Sequence, residues 1–177
     1  HIGKDNVEET SKNLLEPAQK DLNTALELAK EDAKNKPKNG FEQANKIIEK
    51  CKKYEPIFNL FFDKNSKKVS DLFDRAAEAA DDCITLSLKH SSNYAEAIVL
   101  RKQLLSLSSS LKIRNKIQNS IFSTYFSPYE RILEEIQNSK ESANIKFLKI
   151  KSCVLKKIIK DKNLEHLVNE NGKVFRS

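Results

Sequence analysis

Apolar residues recur along most of this chain at steps of three and four, the spacing that gathers them on one side of a helix. Leu15, Ala18, Leu22, Ala25, Leu26, Ala29 and Ala33 form the first such stripe. Pro17 fits the first turn of that helix, where its missing N–H costs nothing. Lys36–Gly40 ends it, with Pro37 and Gly40 as breakers. Phe41, Ala44, Ile47, Ile48 and Cys51 continue the pattern until Tyr54-Glu55-Pro56, because a proline disfavours helix in the residue before it. A short, very apolar segment follows, with Ile57, Phe58, Leu60, Phe61 and Phe62. Asp63–Ser66 is a polar break. Beyond it, Val69, Leu72, Phe73, Ala76, Ala80, Cys83 and Leu86 line a strong helix whose alanines permit close approach by a neighbour.

His90–Asn93 separates that helix from the next, and Ser92 or Asn93 can cap the new start. Tyr94, Ala97, Ile98, Leu104, Leu105 and Leu111 give its inner face. The serines at 106 and 108–110 weaken its end. A kinked continuation then carries Ile113, Ile117, Ile121, Phe122 and Tyr125. Ser127-Pro128 opens a further helix through Ile132, Leu133 and Ile136, ended by Asn138–Lys140. Ser142–Lys160 is the most regular amphipathic stretch. At about 100° per residue, Phe147, Leu148, Val154, Leu155, Ile158 and Ile159 fall on a core side. Lys146, Lys149, Lys156, Lys157 and Lys160 fall on a solvent side, and Lys151 within the apolar arc has to snorkel. The pattern predicts an all-α chain, an irregular bundle of about five to eight helices. It divides into a flexible leader over 1–13, one helical domain over 14–160 and a tail or linker over 161–177.

Composition supports long helices: only three Gly and four Pro punctuate 177 residues. Apolar residues make up 38%, enough for a core if each helix buries one stripe. The net charge of +7 is carried mainly by Lys, with only five Arg, which argues against a reader of nucleic acid. No run of about 18 apolar residues is present, so no segment spans a membrane. With no Met in the chain, His1 reads as something other than a native start, consistent with removal of a leader that could carry a lipid anchor.

Catalytic chemistry finds little support. His90 and His166 are isolated, and no metal-ligand spacing occurs. Asp81-Asp82 and Glu134-Glu135 are neighbours on helices, point about 100° apart, and read as solvated faces. Gly3, Gly40 and Gly172 are too scattered for a phosphate loop. Cys51, Cys83 and Cys153 read as small buried residues. The expectation is a protein without catalytic, cofactor or metal site and without a small-molecule substrate. Its candidate partner-binding residues are Lys146, Lys149, Lys156, Lys157 and Lys160 on the basic face, and Phe58, Phe61 and Phe62 in the aromatic segment.

Two resemblances add to this. The breaks at Pro56, Ser92 and Pro128 are spaced by 36 residues, and the stretches Phe41–Pro56 (FEQANKIIEKCKKYEP) and Asn93–Ala97 (NYAEA) look like pieces of tetratricopeptide hairpins. That likeness implies an adaptor gripping a peptide or protein helix. In overall style the chain resembles the helical surface and envelope lipoproteins of Borrelia-type spirochaetes. The Lys/Asn/Ile/Ser-rich helices carry this, such as Asn45–Lys50 (NKIIEK) and Lys149–Lys160 (KIKSCVLKKIIK). The resemblance implies a non-catalytic exported protein of the cell envelope or outer surface. Its partner would be a host protein, such as a complement regulator, plasminogen or a matrix component, or another envelope protein. A helical half of a larger envelope protein is the structural variant of this reading.

Overall fold

The computed structural model describes residues 4–62 and 66–155. Among them the chain is all-helical: α1 (Lys4–Asn35), a 3-10 turn (Pro37–Asn39), α2 (Gly40–Phe61), α3 (Lys67–Leu88), α4 (Tyr94–Leu107), α5 (Leu111–Asn138), α6 (Ala143–Lys149) and a π-helical stretch (Ile150–Leu155). The all-α bundle expected from periodicity is the fold observed.

The chain divides into two compact units, His1–Ile121 and Phe122–Ser177, with the boundary inside α5. In the first unit α3 is central and packs against α1, α2 and α4. Its Ala76, Ala77, Ala79 and Ala80 are fully buried, as the small face predicts. Around them lie Leu22, Ala29 and Ala33 of α1 and Ala44, Ile47, Ile48 and Cys51 of α2. Phe58 meets Phe73 edge to face at 5.8 Å, a favoured aromatic geometry. In the second unit Ile136 of α5 is buried under Tyr125, Phe126, Tyr129, Ile132, Leu133 and Ile150.

The helix ends follow capping chemistry. α1 ends ahead of Pro37, as expected. Asn93 caps α4, its side-chain oxygen accepting the Glu96 N–H at 3.4 Å, while Glu96 takes a hydrogen bond back from the Asn93 amide. The first of these bonds satisfies one orphan N–H of the first turn, and the second, between the two side chains, holds the cap in place. The serine run is a full break between α4 and α5, not a kink. The buried Asp74 carboxylate stabilises it by accepting the Ser109 N–H at 2.8 Å and the Ser110 N–H at 3.1 Å. Arg114 closes the other side, donating to the Leu105 and Ser108 carbonyls.

The prolines correct the sequence reading. Pro17, Pro56 and Pro128 all lie inside helices. α1 already runs from Lys4, through the stretch expected to be loose. All three prolines are exposed, so the helix face that loses a hydrogen bond is the one water can reach. Around Pro56 the opposite face buries Cys51, Tyr54 and Phe58, which holds the helix together. With two of its three markers gone, the 36-residue punctuation no longer divides the chain into repeats.

Candidate functional site

The first unit carries an open cleft. α2 delivers Phe58 to it, and Phe62 follows at the end of that helix. The first turns of α3 deliver Lys68, Val69, Asp71, Leu72 and Arg75. Gln19 of α1 and Ile113 of α5 complete an open groove of about 680 Å³. Phe58, Val69, Leu72 and Ile113 are buried apolar side chains. The rim is charged and partly held in place. Arg75 donates to the Asn23 side chain at 3.2 Å. Glu78 pairs with Lys116 at 2.8 Å. The hydrogen bond from Lys116 is the main reason the Glu78 carboxyl lies below the usual carboxylate range. Asp74 also lines the groove, but its oxygens are taken by the N-terminus of α5.

The structure thus brings two expected site residues, Phe58 and Phe62, to one groove. Phe61 is half-buried and does not line it. Gln19, Arg75 and Ile113 were missed. They come from separate helices, and no local pattern joins them.

The basic face expected on Ser142–Lys160 is turned the other way where it is described. Lys146 donates to the Gln137 carbonyl at 2.7 Å, in the last turn of α5, where a cation suits the negative helix end. Lys149 pairs with Glu141 at 2.5 Å and holds that carboxyl below its usual range. Ile150 joins the cluster over Ile136. These contacts direct the Lys146–Lys149–Ile150 side toward α5. Phe147 and Leu148, expected in the core, are 65% and 61% exposed. No residue of α6 is buried. Lys156, Lys157 and Lys160 lie outside the described residues.

Asp81 is a second correction. It was expected on a solvated face with Asp82; Asp82 is exposed, but Asp81 is fully interior. Arg101 of α4 donates to it at 2.6 Å, and the Ser120 hydroxyl of α5 donates at 2.9 Å. The same guanidinium reaches the Thr85 hydroxyl at 2.8 Å and the Ser120 carbonyl at 3.1 Å. The network joins three helices with its charges satisfied, a structural arrangement.

Two cysteines are buried as expected, and Cys153 is not. Burial, with a smaller push from Glu55, raises the Cys51 thiol to about 12. Burial likewise raises Cys83 to about 11. Thiols held protonated this way are poor nucleophiles. A disulfide reagent is therefore expected to titrate Cys153 alone in the folded chain, and all three cysteines after denaturation. Rapid native labelling of Cys51 or Cys83 would contradict their placement. Among the described residues no three His, Cys, Asp or Glu side chains converge as a metal site would need. No described helix is long and apolar enough to cross a membrane.

No family model matches this chain, and neither a curated protein nor a solved structure does.

Proposed function

We propose that this chain is a non-catalytic protein of the cell envelope or outer surface that binds a protein partner in the groove between α2 and α3. The observation that carries the binding reading is the groove's make-up: an apolar floor with Phe58 and Leu72, and a rim with Arg75, Lys68 and Asp71. Protein interfaces have that anatomy, with a dry apolar centre inside a polar border. Aromatic and Arg side chains contribute most to binding at such surfaces. The envelope location and a host or envelope partner rest on the resemblance to spirochaetal lipoproteins. The non-catalytic reading draws support from the reactive groups themselves. The Asp81 and Arg101 charges satisfy each other, and burial keeps the Cys51 and Cys83 thiols protonated.

The test is binding of purified plasminogen, complement regulators and matrix proteins to the immobilised chain, alongside a Phe62→Ser/Arg75→Glu variant. Neither side chain is buried, so circular dichroism should be unchanged. The expected result is a ligand whose affinity falls about tenfold or more in the variant. No ligand, or one that binds both forms equally, rules out the groove as the site.

A further inference from the structure

The outward side of α6 has a chemistry that the groove does not share. Helical geometry at about 100° per residue puts Asn144, Phe147 and Leu148 on one arc of α6, and Lys151 follows in the π-helical stretch. The opposite arc, with Lys146, Lys149 and Ile150, is the one engaged with α5 and Glu141. Phe147 and Leu148 are about two-thirds exposed, at 65% and 61%, and Ile145 is 46% exposed. Lys140, in the loop before α6, and Lys151, four residues past Phe147, are exposed as well.

Charge on this segment is mainly positive. From Lys140 to Lys151 the sequence holds four Lys and one acid, Glu141. That acid is engaged by Lys149, so it does not offset the exposed cations. From these observations we infer that the outward arc of α6 is a contact site for an anionic phospholipid bilayer surface. Exposed apolar side chains flanked by lysines are what a peripheral helix uses to rest in a headgroup layer: the rings and methyls enter the acyl boundary, and the ammonium groups meet phosphates. The lysine stems can lie along the apolar side chains while their heads stay in the polar layer.

Area and charge both favour a bilayer over a second copy of this chain. A stable protein interface needs roughly 800 Å² from each partner. Phe147 and Leu148, with the adjoining edge of Ile145, present a small fraction of that, since one large aromatic buries about 150–250 Å². A second copy would also set like charges against each other. A fluid anionic surface needs no matching pocket and adapts its charges to the lysines.

The test is co-sedimentation of the full chain with vesicles of phosphatidylglycerol and phosphatidylcholine in equal parts, against pure phosphatidylcholine. Binding to the anionic vesicles is expected to be about tenfold or more tighter, and to weaken as salt is raised. Phe147→Ser/Leu148→Ser should lower it about tenfold or more, because exposed apolar area supplies the insertion energy. Lys140→Glu/Lys151→Glu should lower it as well, with helicity unchanged in both variants. The groove variant Phe62→Ser/Arg75→Glu should bind vesicles like the parent, which separates this site from the groove reading. Absence of vesicle binding, equal binding to both vesicle types, or no effect of the α6 substitutions overturns the inference. So does a concentration-dependent dimer in sedimentation velocity that Phe147→Ser/Leu148→Ser abolishes.

Discussion

Replacing Arg101 with Met is expected to destabilise the first unit by about 3–5 kcal/mol, the usual cost of leaving one charge of a buried pair without its partner. Both side chains are almost fully removed from water, with 4% of Arg101 and 2% of Asp81 exposed. Met fills much of the space of the arginine stem but cannot donate. The Asp81 carboxylate would keep only the Ser120 hydroxyl among its described donors. The melting temperature should fall by about 10 °C for a chain of this size. A double variant, Asp81→Leu/Arg101→Met, removes both charges and should recover at least half of the loss, since an apolar replacement of a whole pair is often neutral. Urea unfolding of parent, single and double variants measures this. A single variant within about 0.5 kcal/mol of the parent would mean that water reaches the pair.

Gly40→Ala provides the second large effect, and its sign is a contest between two terms. Gly40 has helical dihedrals, with φ −57° and ψ −36°. Helix propensity alone therefore predicts that alanine stabilises by about 1 kcal/mol. Packing predicts the opposite. A Cβ at this position would lie 2.1 Å from the Cys83 carbonyl oxygen and 2.9 Å from the Ser87 Cβ. The first is backbone in the central helix, and it cannot turn aside as a flexible side chain would. The start of α2 would have to move away from α3, weakening the neighbouring contacts of Phe41 and Ala44. Overpacking of this kind costs about 1–3 kcal/mol, and contact with backbone puts Gly40→Ala toward the upper end. A lower denaturation midpoint with an unchanged slope is the expected result. A midpoint above that of the parent would show that the two helices are less tightly apposed than described.

The Gly40 contact could not be read from the sequence, which marks the residue only as a helix breaker. In the structure it permits close approach. The prolines show a related limit. The rule that proline ends a helix expresses a cost of about 3 kcal/mol, which burial elsewhere can outweigh. Tyr54 and Phe58 flank Pro56 and are both buried. Fully burying a large apolar side chain contributes about 1.5–3 kcal/mol, so the two together can offset the proline. The groove was legible in part. Phe58 and Phe62 stood out as an unusually apolar run, but Gln19, Arg75 and Ile113 reach the same space from separate helices.

The stripes of α1, α2 and α3, the cap at Asn93 and the class of fold are consequences of local spacing. Helical periodicity and capping act within a few residues, so they are present in the linear chain before any tertiary contact forms. The inward turn of Asp81 and the outward turn of Phe147 and Leu148 are different in kind. Asp81 is interior because Arg101 and Ser120, 20 and 39 residues away in the chain, satisfy its charge. α6 faces outward with its phenylalanine because Gln137, Glu141 and Ile136 hold its other side. A pattern of apolar and polar residues says that a helix has two faces. Which face turns inward depends on what the surrounding chain offers to it, and for α6 the last turn of α5 and the loop after it offered a carbonyl and a carboxylate to two lysines.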